Sequence, residues 1–174
     1  MALEDIGSLL IRVSVGWLFL GGAWACSKDT MGHKCAVADT ALVFKWRPEL
    51  FALLGIFMAG AGGLSVLFGI FPRLGALALT IFLVPAAMIH LAKRRQALAL
   101  KEKILAELTG KISFSARNDL DALGASAAFG HYTAALKNLS LIGPTAYLVL
   151  AGARPPMLIG FGSDGQLHGL LTQF

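Results

Sequence analysis

The amino-acid sequence predicts an all-α integral membrane protein: a bundle of four transmembrane helices with a cytoplasmic amphipathic helix between the third and the fourth. Three observations carry this. Of 174 residues, 56% are hydrophobic and 14% charged, with a mean hydropathy of +0.71, whereas a water-soluble domain carries about 25% charged residues. The apolar residues gather into four runs near the roughly 20 residues a helix needs to cross a bilayer core of about 30 Å. Twelve of the 15 lysines and arginines fall in two segments, Cys26 to Pro48 and Ala92 to Asn138. Ordinary soluble enzymes and disordered tails do not have this composition, and two cysteines are too few to staple a small secreted fold.

The first run is Ile6 to Ala25, interrupted by Arg12, and the second, Leu50 to Phe71, has no charge. The third is Leu74 to Leu91. The fourth reaches full length over Thr133 to Ala153 if Lys137 snorkels to the headgroups. Lipid offers no partner to exposed backbone groups, and the runs are too long for barrel strands, so all four are expected to be helices. The whole chain, 1–174, then reads as one membrane domain with an insertion at 92–132 and a tail at 154–174.

Orientation follows from the basic residues. Lys28, Lys34, Lys45 and Arg47 lie in the Cys26 to Pro48 loop, and Lys93, Arg94, Arg95, Lys101, Lys103, Lys111, Arg117 and Lys137 lie in the Ala92 to Asn138 segment; Arg12, Arg73 and Arg154 are left for the other side. Positive loops stay inside, so both long segments are expected in the cytoplasm and both termini outside, in a bacterial-type cytoplasmic (inner) membrane. The net charge of +5 is thereby a topology signal, and with no aromatic-interleaved basic motif nucleic acid is not expected as a partner. The acidic start, Glu4 and Asp5, does not resemble a signal-peptide n-region.

Within the insertion, Leu98, Lys101, Ile104, Leu105 and Leu108 recur at helical spacing, Glu107 and Lys111 form an i,i+4 pair, and Gly110 can end a helix. Gln96 to Leu108 is therefore expected to be an amphipathic helix on anionic lipid, or a docking arm for a soluble partner. Asn118, followed by Asp119 and Asp121, reads as the cap of a further helix leading to the fourth span.

Gly55, Ala59 and Gly63 put a strip of small residues along one face of the second span, where another helix can approach closely. Pro85 and Pro144 each delete a helical hydrogen bond in the third and fourth spans. Arg12, costing on the order of 3 kcal/mol at mid-span, needs Asp164 of the tail or a lipid phosphate. Of four histidines (His33, His90, His131 and His168), His90 and His131 are expected at the same depth on different helices, the placement that haem or quinone binding requires. No pair has a metal-ligand spacing, so neither metal nor haem is expected. Cys26 and Cys35 flank His33 without a zinc or redox template; a cytoplasmic loop keeps them reduced, and an inverted topology would make them a disulfide.

The order of these parts resembles the DoxX family (DoxX/DoxD-like) of small four-helix membrane proteins. The resemblance rests on Arg12, Gly16 and Gly21 in the first helix, GGLSVLFGIFPRLGALAL at Gly62 to Leu79, His90 closing the third helix, and HYTAALKNLSLIG at His131 to Gly143. Lys28 stands later than the family's first-helix lysine, and the tail at Gly160 to Asp164 departs from the family's ending.

What the resemblance implies is a membrane subunit of a quinone-linked redox complex, since relatives include the small membrane subunit of a thiosulfate:quinone oxidoreductase. The alternative is a non-catalytic anchor or assembly subunit that docks other proteins. Membrane lipid and other subunits are the expected partners. For a quinone, the residues with the right chemistry at the right depth are His90, His131, Lys137 and Asn138, polar groups that would stand at the end of an apolar cleft.

Overall fold

The computed structural model describes residues 3–152. Five helices follow in order: α1 (Leu3–Ser27), α2 (Thr30–Ala41), α3 (Pro48–Phe68), α4 (Pro72–Glu107) and α5 (Phe114–Ala151). Four of them, all but α2, are long and apolar enough to cross a membrane. This is the four-helix membrane bundle that the hydropathy predicts.

α3 occupies the middle because its small residues work on two faces. Gly63 meets Gly16 of α1, where a Cβ on Gly16 would stand 2.7 Å from the Leu67 Cβ and 2.9 Å from the Gly63 carbonyl. One residue earlier, Gly62 meets Gly75 of α4, whose carbonyl would lie 3.0 Å from a Cβ on Gly62. Close approach of this kind lets dispersion and backbone contact hold helices that lipid does not drive together. The expected strip is turned inward: Ala59 is buried, and Gly55 looks onto the Phe82 ring of α4. Around these contacts Val15, Phe19, Val66, Leu79, Leu83 and Leu148 form the core.

The α3–α4 turn is tight. Gly69 takes φ 75° and Phe71 takes φ 49°, and the Ser65 hydroxyl reaches the carbonyls of Ile70 (2.5 Å) and Phe71 (3.0 Å). Pro72 then opens α4 at a position where a missing N–H costs nothing.

Arg12 is 0% exposed, so it does not snorkel to a phosphate. Its guanidinium donates from Nε to the Val66 carbonyl at 3.1 Å and from Nη2 to the Leu67 carbonyl at 3.3 Å. These carbonyls belong to the last turn of α3, which has no further helical N–H to accept from. The expected pairing with Asp164 lies outside the described residues.

Two local expectations change. The amphipathic segment Gln96 to Leu108 is helical, but it is not a separate surface helix: α4 runs unbroken from Pro72 to Glu107. The stretch from Ala92 to Glu107 contains neither glycine nor proline and is rich in helix-forming Ala, Leu, Lys, Arg and Glu. Its inner face is taken by α5, through Lys101–Asp121 at 3.0 Å, the Lys101 side chain against Gly124, and Arg94 over the Tyr132 ring at 4.8 Å. Likewise α5 does not start at Asn118. Ser113 is its cap, accepting from the Ala116 N–H at 3.2 Å, because Gly110 (φ 76°) has already turned the chain. Asn118, Asp119 and Asp121 therefore lie inside α5.

Candidate functional site

A cavity of about 720 Å³ lies toward the loop end of the bundle, lined by residues of all five helices. Its walls are apolar, with Phe19 of α1, Ala52 and Ile56 of α3, Phe82 and Ile89 of α4 and Leu141 of α5. Polar side chains collect among the lining residues next to the loops: Asp39 and Thr40 from α2, His90 from α4, and Lys137 and Asn138 from α5.

Helical periodicity explains the gathering. On α4, Pro85, Ala86, Ile89 and His90 face the cavity; on α5, Lys137, Asn138 and Leu141 do, the i, i+1, i+4 spacing of one helix face. The two helices are pinned further into the bundle, where the Thr80 and Thr145 hydroxyls meet at 2.9 Å and Thr145 also reaches the Leu141 carbonyl at 3.0 Å. Thr145 is wholly buried. The pin lies two turns along α5 from Lys137 and Asn138, on the helix pair that also carries His90.

Of the four residues expected to converge, His90, Lys137 and Asn138 line the cavity, and Asn138 is buried. His131 is not in the wall but stands beside His90, with ring centroids 5.9 Å apart at a tilt of 31°. The Nδ1 of His90 is a buried atom without a hydrogen-bond partner. Buried polar atoms are seldom left so.

Sequence reasoning missed the contribution of α2. The segment between the first two spans folds as a helix, with the Asp29 carboxylate accepting from the Gly32 N–H at 2.6 Å as its N-cap. This helix brings Asp39 to Lys93 of α4 at 2.7 Å and adds Ala36, Asp39 and Thr40 to the cavity wall beside Cys26. Asp29-Thr30 was the available signal, a cap residue at a helix start. Cys26 is half-buried and Cys35 exposed, both as free thiols. Among the described residues, no group of three or more His, Cys, Asp or Glu is placed to hold a metal ion.

Residues 7–92 match the family model for DoxX. The chain belongs to the DoxX family. The match runs from α1 through the turn of α4 that bears His90, so three of the DoxX spans and the α2 side of the cavity lie within it, while Lys137 and Asn138 of α5 lie beyond it. Among curated proteins and among solved structures, nothing matches this DoxX chain.

Proposed function

We propose that this DoxX protein is the integral membrane subunit of a quinone-linked oxidoreductase complex, with the quinone headgroup at the polar end of the cavity. The observation that carries the reading is the gathering of His90, Lys137 and Asn138 among the lining residues of one apolar cavity. A quinone carbonyl accepts hydrogen bonds, and the Lys137 ammonium and Asn138 amide donate them. The ring needs apolar walls, which Phe19, Phe82 and Leu141 provide. A quinone that is reduced also takes up protons, and the adjacent imidazoles of His90 and His131 carry nitrogens that can accept and donate them.

In this reading the electrons come from a partner subunit, and the polar end of the cavity is on the cytoplasmic side with both termini outside, an orientation that the charge bias of the loops supports. Quinone binding by the purified protein tests it. The wild type is expected to bind and the His90→Ala, His131→Ala double variant to bind weakly; equal binding by both removes the site.

A second reading has its own observation. α4 and α5 have 36 and 38 residues, lengths of about 54 and 57 Å at 1.5 Å per residue, against a bilayer core of about 30 Å. The paired ends of these helices extend past the membrane as a hairpin, which is the feature an anchor would use to dock a soluble partner. If neither wild type nor variant binds quinone, the anchor reading replaces the first.

A further inference from the structure

We propose that the cavity is loaded from the side, out of the lipid, through a portal between α1 and α5 whose α1 edge is Gly21 and Gly22. The ligand class this selects is a flat-headed quinone with a long apolar tail. The proposal rests on the quinone reading for its headgroup, and on separate observations for its route.

The glycines of α1 divide into two kinds. Gly16 is required by packing, since a Cβ there would collide with Leu67 and the Gly63 carbonyl. Gly21 and Gly22 are not: a Cβ on either meets nothing within 4 Å, although both lie inside a helix, where glycine is less favourable than alanine. Both line the cavity and both are exposed. What they do in this position is keep the wall low. Beside them Leu18 and Trp17 are exposed and also line the cavity, and across it stand Asn138 and Leu141 of α5. α1 and α5 touch each other little, whereas α5 packs along α4, so the bundle wall is thin along this line.

The loop end is more closed. α2 packs against α1 and α3 and contributes Ala36, Asp39 and Thr40 to the cavity wall, and the Asp39–Lys93 ion pair at 2.7 Å fastens it to α4. A water-soluble ligand arriving from the loop side meets this helix, while a ligand dissolved in the bilayer meets the side bordered by two glycines. The polar groups then take the head while the tail stays in lipid, an arrangement that leaves no apolar chain in water.

The experiment compares two quinones with the same dimethoxy-methyl head, one with a decyl tail and one without a tail, on the full-length protein in lipid nanodiscs. Wild type is expected to bind both. Replacing Gly21 and Gly22 together by leucine is expected to weaken the decyl quinone by about tenfold or more and the tail-less one by about twofold at most, the first being a 1.4 kcal/mol effect. The thermal midpoint should not fall, because the new side chains enter open space. Should the leucine pair not fold, the pair of alanines gives the same readout on a smaller scale. If the leucine pair, or the alanine pair in its place, leaves the ratio of the two affinities unchanged, the portal is overturned and the quinone reading stands. Equal loss of both ligands puts the glycines in the headgroup site and also overturns it. If wild type binds neither quinone, the quinone reading itself has failed and the portal falls with it.

Discussion

Arg12 of α1 donates its Nε–H to the carbonyl of Val66 at 3.1 Å, 54 residues away in the last turn of α3. The most costly side chain in the first span is thereby used to satisfy a helix end inside the membrane. Hydrogen bonds from a charged donor contribute about 1.5–3 kcal/mol, and in lipid the freed carbonyl has no water to turn to. Arg12→Met is expected to destabilise the bundle by about 2 kcal/mol or more on the same grounds. Unfolding in graded detergent mixtures measures it, and a change near zero would show that the guanidinium and the carbonyls are equally well served apart.

Glycine substitutions should change sign with position. Gly16→Ala places a methyl against Leu67 and the Gly63 carbonyl, and overpacking of this kind costs about 1–3 kcal/mol. Gly130→Ala in α5 meets nothing within 4 Å and is expected to stabilise by up to about 1 kcal/mol through helix propensity. Thermal midpoints of the two variants test the contrast. A fall at Gly130 as large as that at Gly16 would mean that Gly130 faces another subunit.

What was legible in the sequence follows from the physics each part depends on. The spans were readable because bilayer thickness and backbone satisfaction dictate them through composition. The meeting of His90, Lys137 and Asn138 in one cavity wall was readable because their depths are fixed by the apolar runs that contain them. The contact of Arg12 with α3 was not readable, because the acceptors there are the backbone carbonyls of Val66 and Leu67, which carry no residue signature. The continuity of α4 past Leu91 was missed because a change from apolar to charged composition marks the edge of the membrane, not the end of a helix. α2 was missed because its apolar pattern is weak and its inward face, Gly32, Ala36, Asp39 and Thr40, depends on where α1 and α4 stand.

The Asp39–Lys93 pair should hold α2 over the cavity. Both side chains are partly buried, so a double-mutant cycle with Asp39→Asn and Lys93→Gln is expected to give a coupling of about 1 kcal/mol, at the upper end for solvent-touched pairs. Either single change should also speed maleimide labelling of Cys26, which shares the cavity wall with Asp39. Strict additivity together with an unchanged labelling rate would show that α2 is held by its contacts with α1 and α3 alone.

The Thr80–Thr145 contact should contribute little energy for its position. Interhelical hydrogen bonds in membranes average about 0.6 kcal/mol, because the separated helices also find partners. Thr145→Val keeps the shape of a fully buried side chain and is expected to cost about that much by the same average. If the proposed quinone site is right and the pin holds the face of α5 that presents Lys137 and Asn138, its larger effect should be on quinone binding. Loss of stability with unchanged binding would show that the α4–α5 packing outside this pair holds that face.

The topology can be read from a single thiol. Cys35 is exposed on α2, in the segment that contains Lys28, Lys34, Lys45 and Arg47, which the positive-inside rule predicts to be cytoplasmic. A membrane-impermeant maleimide should therefore label Cys35 in inside-out vesicles and spare it in right-side-out cells, with Cys35→Ser as the control that assigns the signal. The opposite result would invert the whole bundle, since α2, the polar end of the cavity and the α4–α5 hairpin are joined on one side through Asp39–Lys93 and His90–His131. It would also move both thiols into an oxidising compartment, where a disulfide between Cys26 and Cys35 becomes the species to look for.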